Sequence, residues 1–417
     1  MHIVFVTVEL STGNNMAGGL ASFTENIVRV FARNGHRVTI ILSTPKETEV
    51  VFDEGIEVLN SYIPKKSWDR MDRMARVLTY FDKKYMRELR QVLFNVYRSW
   101  DVNKIIKEVC SKKKVDLVHY CSLESLALLA DKKIPHVVRL SSLRHLCRGA
   151  NYPEGQYGYK EIPLLLTEKL YNYVLSKQEY IISPSCLLAD VVKKYINPRV
   201  TVLESPFMFD AVDWDYRVYN EQLRGKKYIL YFGTLKYLKG TNTIARLAKA
   251  FLQQNPDMYL VLAGKSEEMR DLQGKLIKAQ EWVLQCAEEC CDRVVCTGAL
   301  FKEELYPIIE GAELCLFPSR IENLSNACIE AMALGKIVVA TNGASYEQLI
   351  EDKENGFLCE RDNSDSFLQG IMEALNLTPD EKLAMSAKAK ESVERLKPEA
   401  VYENFLHYYE EVIRNWR

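Results

Sequence analysis

The stretch Leu314-Cys-Leu-Phe317-Pro318-Ser-Arg-Ile-Glu322-Asn-Leu-Ser-Asn-Ala-Cys-Ile-Glu330-Ala-Met-Ala-Leu-Gly335 holds a strand, a loop and a helix within 22 residues. Leu314 to Phe317 is a short continuous apolar run, as expected of a strand buried on both faces. The helix that follows is expected to end at Gly335. Between strand and helix the chain carries Glu322, and Glu330 falls eight positions later, early in the helix. A helix start presents unpaired N–H groups and the positive end of its dipole, which favour an anion. Two carboxylates flanking an anion site suit a ligand with hydroxyls at both ends and phosphate between them, the layout of a nucleotide sugar.

The same alternation runs along the whole chain. In the first half strands are expected near Ile3–Val8, Val38–Leu42, Val115–His119, His136–Leu140, Tyr180–Ser183 and Val200–Leu203. In the second half they are expected near Tyr228–Phe232, Tyr259–Ala263, Arg293–Cys296, Leu314–Phe317, Ile337–Ala340 and Gly356–Leu358. Helix-period segments lie between most of them, which indicates parallel sheets covered on both faces. The pattern restarts after Pro206–Lys227, a stretch with Pro, Asp, Gly and charge. The expectation is α/β: two Rossmann-like, doubly wound domains facing each other across a cleft, over residues 1–205 and 228–397, with 206–227 as linker.

At 417 residues, with 47% apolar and 27% charged residues, the composition is that of a water-soluble two-domain protein. It contains no 18-residue apolar run, and Met1–Val8 reads as a first strand rather than a signal peptide. Eleven scattered cysteines suggest reduced thiols and a cytoplasmic setting. Cys286, Cys290, Cys291 and Cys296 cluster, but their spacing matches no common zinc pattern, so no metal is expected.

The net charge of −1 hides an asymmetry. Residues 1–205 hold 30 Lys/Arg against 22 Asp/Glu (+8), and residues 206–417 hold 25 against 34 (−9). The basic excess concentrates between Lys65 and Lys114, where Trp68, Met71, Met74, Val77, Leu78 and Phe81 recur at helical spacing among arginines and lysines. That segment reads either as an amphipathic helix packed on its own domain or as a basic helix that touches anionic lipid. Nothing points to nucleic acid as a partner.

Two further loops carry chemistry. After the first strand comes Glu9-Leu-Ser-Thr-Gly13-Asn-Asn-Met-Ala-Gly18-Gly19, and a helix begins near Leu20. Glycines at a helix start let a ligand approach the backbone amides. The loop is neither Gly-x-Gly-x-x-Gly nor a P-loop. The second loop follows Tyr228–Phe232 as Gly233-Thr234-Leu-Lys236-Tyr-Leu-Lys239-Gly240, with Lys239 placed at a helix entrance as a point charge for phosphate. His119, at the end of a first-domain strand, is expected to face a ligand. Arg139, Arg144 and His145 follow the next strand as candidates for an acceptor.

Taken in order, these motifs resemble the family 4 glycosyltransferases, a large retaining group with the GT-B fold, over nearly the whole chain. The carrying residues are Gly18-Gly19, Gly35-His36-Arg37-Val38-Thr39, Gly233 through Lys239-Gly240, Thr297-Gly298, Pro318 through Lys336, and Asn355-Gly356-Phe357-Leu358. The resemblance implies a nucleotide-diphosphate-sugar donor, UDP or GDP, bound mainly by the second domain with no separate cofactor and no metal. Lys239 would contact the diphosphate, and Gly18, Gly19, Gly233 and Thr234 would line the donor site. Glu322 would hold the sugar hydroxyls, with the amides of Leu324, Ser325, Asn326 and Ala327 on sugar and phosphate. Glu330 would grip the ribose and Gly298 would lie against the base. Glu322, Lys239 and His119 are the catalytic candidates. The acceptor would be a glycan or lipid-linked glycan in surface polysaccharide synthesis, met at the inner face of a membrane. The last helix, 398–417, would cross back to the first domain. Two positions depart from the family pattern: Thr234 stands where many members have arginine, and Cys121 where many have a second histidine. A nucleotide-sugar epimerase and a non-catalytic nucleotide-sugar-binding protein are the alternatives on the same scaffold.

Overall fold

The computed structural model describes residues 1–10, 18–45, 52, 55–78, 83–152, 155–208, 212–270 and 274–416. The chain forms two compact units. The first comprises Met1–His145, Ile162–Met208 and Leu396–Arg417; the second comprises Leu146–Glu161 and Phe209–Arg395.

In the first unit seven parallel strands are laid out: β1 (His2–Thr7), β2 (Arg37–Thr44), β3 (Glu57–Tyr62), β4 (Leu117–Cys121), β5 (His136–Arg139), β6 (Ile181–Ser183) and β7 (Val200–Val202). Their order is β3-β2-β1-β4-β5-β6-β7. All of β1, β4 and β5 is buried, polar His2, Thr7, His119, His136 and Arg139 included, and their apolar residues come in consecutive runs rather than alternating, as in strands covered on both faces. Helix α1 (Gly19–Arg33) turns Phe23, Ile27, Val30 and Phe31 into the core. The last helix, Pro398–Asn415, joins the same core with Val401, Tyr402, Phe405, Tyr409 and Val412. Each such side chain contributes about 1.5–3 kcal/mol by leaving water.

The basic segment forms α2 (Lys65–Leu78) and α3 (Lys83–Lys112). Its apolar stripe divides. Met71 packs with Ile63 and Phe94, and the Trp68 ring lies 3.9 Å from that of Phe94. Met74 and Val77 stay 52% and 78% exposed. Phe81 lies outside the described residues.

The second unit carries β8 (Lys227–Phe232), β9 (Met258–Ala263), β10 (Glu268–Arg270), β11 (Leu276–Lys278), β12 (Val294–Gly298), β13 (Leu314–Phe317), β14 (Val338–Thr341) and β15 (Phe357–Cys359). Six of them form a parallel sheet in the order β12-β9-β8-β13-β14-β15, while β10 and β11 pair separately and antiparallel. The strand order reverses between the parallel neighbours β8 and β13, one half of the sheet growing outward from β8 and the other from β13, so the loops leaving these two strands open side by side. In open α/β sheets ligands bind at such a switch point.

The units do not follow the expected boundaries throughout. Residues 146–161 fall inside the expected 1–205 domain yet belong to the second unit. Much of the expected linker is also built into the second unit: Trp214 packs on Tyr306, Arg217 bonds Glu304 at 3.1 Å, and Leu223 is fully buried. Three strands lay outside the expectation. Edge strand β3 has one fully buried residue in six, and β10 and β11 have three residues each.

Candidate active site in the second unit

The loop after β8 begins at Gly233 and ends in a single helical turn, Tyr237–Lys239, stopped by Gly240 in the left-handed region at φ +73°. Gly240 lies so close to the loop after β13 that a Cβ there would sit 1.8 Å from the Pro318 carbonyl oxygen. Glycine is therefore required twice over, by conformation and by space. The close approach brings together residues 83 apart: Lys239 Nζ pairs with Glu322 Oε1. Ser319 Oγ donates to the same oxygen at 2.9 Å. The Glu322 side chain is 12% exposed and that of Lys239 31%.

Neighbouring backbone holds the carboxylate's position. The Glu322 N–H donates to the Ala344 carbonyl at 3.0 Å, and Ser345 Oγ donates to the Asn323 carbonyl at 2.7 Å. The helix Asn326–Ala333 then starts with Ser325 as its cap, whose Oγ accepts from the Cys328 N–H at 3.4 Å. Helix geometry leaves the N–H groups of Asn326 and Ala327 without an intrahelical partner. Glu330 stands just past that first turn and is half-buried. Gly335, at φ +73°, closes the helix: its N–H reaches the Met332 carbonyl, and the Lys336 N–H reaches that of Ala331.

Thr234 and Lys236 lie on the same loop after β8, and Gly298 lies at the end of β12. Thr234 accepts from Tyr231 OH through its carbonyl at 2.9 Å. Lys236 lies 3.9 Å from Glu267. Gly298 ends β12 at φ +76° with open space where a side chain would be. The Cys147 thiol, which sequence reasoning passed over, lies within the fields of Glu322, Lys239 and Lys236, and burial pushes it up to about 11. Among the described residues no three His, Cys, Asp or Glu side chains gather as metal ligands would.

The first-unit candidates lie differently, and two expectations are corrected. His119 does not present itself to a ligand. It is 3% exposed in the middle of β4, stacked on Phe5 at 5.1 Å, with Phe23 and Phe405 nearby. Its Nδ1 lies 2.6 Å from Tyr409 OH on the last helix, and burial holds its pKa well below the ordinary histidine value. Strand β4 runs on to Cys121, so position 119 lies inside the covered part of the sheet rather than at its end. Arg139 is likewise internal, 4% exposed, stacked 3.6 Å above the Phe23 ring and donating to Ser205 Oγ at 2.7 Å. Burial lowers it to about 9. The remaining two are engaged locally. Arg144 pairs with Glu124, and His145 is buried with Nδ1 3.2 Å from Glu168.

Gly18 caps α1, and its N–H donates to Glu9 Oε1 at 2.6 Å, so the helix start does hold an anion, one supplied by the chain itself. Gly19 is the first residue of the helix. The loop between, residues 11–17 with Gly13, lies outside the described residues. Among the described residues no helix is long and apolar enough to cross a membrane.

Comparison with known proteins matches two family models to this chain: Glycosyltransferase Family 4 over residues 17–206 and Glycosyl transferases group 1 over residues 226–376. An uncharacterized glycosyltransferase of Haemophilus influenzae is 32% identical over 165 residues, 39% of this chain and 43% of the relative. The chain spans about half the length of the first curated relatives it matches. Among solved structures, sucrose-phosphate synthase from Thermosynechococcus elongatus superposes with a TM-score of 0.72 at 16% identity, over 99% of both chains. The Anabaena HepE protein, crystallised with UDP and glucose, gives 0.66 at 14% identity, over 99% of this chain and 100% of that one. At these identities the structural likeness speaks for the fold alone, which is GT-B.

Proposed function

The chain belongs to the family 4 glycosyltransferases of GT-B fold, and from that premise we propose that it is a retaining, metal-independent enzyme whose second unit binds a nucleotide-diphosphate sugar. The observation that carries this reading is the Lys239–Glu322 pair, set where the loops after β8 and β13 meet and beside the start of a capped helix. On donor binding Lys239 exchanges its carboxylate partner for the diphosphate, and the freed Glu322 accepts from hydroxyls of the sugar. The amides of Leu324 to Ala327 bond sugar and phosphate oxygens, Glu330 takes the ribose hydroxyls, and Gly298 leaves room for the base.

In the reaction the acceptor hydroxyl attacks the anomeric carbon from the face the diphosphate is leaving. The acceptor proton passes to the departing phosphate oxygen. The protein contributes positioning and stabilisation of the charge that develops on the diphosphate, through Lys239 and the helix-start amides. UDP and GDP are the first candidates for the nucleotide, with UDP favoured by its presence in the HepE structure. The acceptor is a glycan or lipid-linked glycan of surface polysaccharide synthesis, and the exposed Met74 and Val77 among the arginines of α2 bring the enzyme to the anionic inner face of a membrane.

A thermal-shift screen of nucleoside diphosphates tests the donor site. A ligand at a hundred times its Kd adds about 2.7 kcal/mol of stability. Lys239→Ala and Glu330→Ala should each weaken the diphosphate that binds by about 1.5–3 kcal/mol, since each removes a charge-assisted bond. Unchanged affinity in both, measured by calorimetry, rejects the site.

A further inference from the structure

The segment Leu146–Glu161 leaves the first half of the sequence to join the second unit. Its Asn151 is separated from the loop after β8 by 87 positions, yet Asn151 Oδ1 accepts from the Leu238 N–H at 3.1 Å. Leu238 immediately precedes Lys239 in the single turn Tyr237–Lys239. The other side of Leu238 is also held, because its carbonyl accepts from the Arg320 N–H at 2.9 Å. Arg320 in turn fixes the loop that presents Asn151. Its guanidinium is 1% exposed, and Nη1 donates to the carbonyls on either side of Asn151: Ala150 at 3.1 Å and Tyr152 at 2.5 Å. Its charge is answered by Asp362, 2.6 Å from Nε, which also accepts from Tyr157 OH and from Asn242 at 3.3 Å.

From these contacts we infer that Asn151 is a positioning residue for Lys239. A three-residue turn has too few bonds of its own to fix the direction in which its last side chain leaves. Here that direction is set from outside, by an amide oxygen on one side of Leu238 and a backbone N–H on the other. Asn151 does not swing away, because one guanidinium binds both neighbouring carbonyls. Lysine is a flexible point charge, so such preorganisation decides how well it meets a phosphate. Asn151 touches no reacting atom; it acts through the turn. The inference rests on the donor-site reading above, in which Lys239 meets the diphosphate, and adds that the contact is with its distal phosphate.

The test is a double-mutant cycle read by calorimetry with UDP and UMP, or with GDP and GMP where those bind tighter. The side chain of Asn151 is at the surface, so Asn151→Ala keeps the fold. Asn151→Ala should weaken the diphosphate by about threefold to tenfold, the loss expected for one hydrogen bond. It should leave the monophosphate within twofold and have no further effect in a Lys239→Ala background. It should also speed hydrogen exchange at the Leu238 amide. An equal loss with and without Lys239, an equal loss for the monophosphate, or no loss at all overturns the inference and leaves the donor site standing. If Lys239→Ala itself leaves diphosphate affinity unchanged, the inference falls, and where Glu330→Ala is also without effect the donor-site reading falls with it.

Discussion

Replacing Gly240 by alanine should damage stability and diphosphate binding together, and the structure gives the size of both effects. At φ +73° an alanine pays the left-handed penalty, about 1–2 kcal/mol. Its Cβ would also lie 1.8 Å from the Pro318 oxygen and 2.4 Å from the carbonyl carbon, where ordinary contact begins at 3.4 Å. Both sides of that collision are backbone, so the two loops must part by about 1.6 Å (3.4 − 1.8). The Arg320 N–H bond to Leu238, 2.9 Å long, does not survive such a shift and takes about 1 kcal/mol with it. The expected destabilisation is about 3–5 kcal/mol once strain in the displaced loops is included. Gly225→Ala is the matched control: its φ is +78°, nothing lies within 4 Å of the added Cβ, and it takes no part in the donor site. It should cost only the conformational penalty, about 1–2 kcal/mol. Urea unfolding of the two variants, compared at unchanged m-value, measures the difference. Diphosphate affinity should fall at least tenfold in Gly240→Ala, because Lys239 moves with the loop. Equal unfolding midpoints and equal affinities for the two variants would refute the argument from collision.

Two other expectations concern acid and membranes. Burial holds His2, His36, His119 and His136 below their ordinary pKa of 6.5, so each takes a proton more readily once unfolded than in the fold. Stability should therefore be full above about pH 6.5 and fall as the pH drops below it, by at most about 1.4 kcal/mol per pH unit for each group. His119→Phe should flatten that slope in equilibrium unfolding between pH 6.5 and 5, and an unchanged slope would show that His119 is not among the groups responsible. For the basic helix, the double variant Arg70→Glu with Arg73→Glu should weaken co-sedimentation with anionic vesicles by at least about 2 kcal/mol, near 1 kcal/mol for each arginine removed. Binding of the unmodified protein to neutral and anionic vesicles alike, or to neither at low salt, would leave α2 as a packed helix only.

What the sequence made legible was local. Strands β1, β8 and β13 are unbroken apolar runs between glycine- or proline-marked loops, and buried parallel strands leave that trace. The helix Asn326–Ala333 announced itself by Gly335 behind it, while its cap, Ser325, emerged only from the structure. Lys239 and Glu322 were each visible as charges at loop ends, although only the packing of Gly240 on Pro318 shows that they meet. The errors arose where a residue's surroundings come from far along the chain. His119 looked like a strand end because its cover, Phe405 and Tyr409, lies almost 300 positions away. Arg320 sits between Ser319 and Ile321 with no local sign of its partners at Ala150, Tyr152 and Asp362. Its burial follows from those distant partners, since such a charge is buried only when paired.

The placement of the last helix has a consequence for synthesis on the ribosome. The first unit's sheet is complete in sequence by Met208, but Tyr402, Phe405 and Tyr409 arrive only after Leu396, 188 residues later. At about 5–20 residues per second that interval is roughly 10–40 s, long against the folding time of most domains. Throughout it the wall formed by Phe23, Phe31 and His119 has no lid, and the nascent chain presents an aromatic surface that the helix Pro398–Asn415 will cover. A message that stalls or ends before codon 396 therefore releases a protein whose first unit is unfinished and adhesive, a substrate for chaperones and proteases.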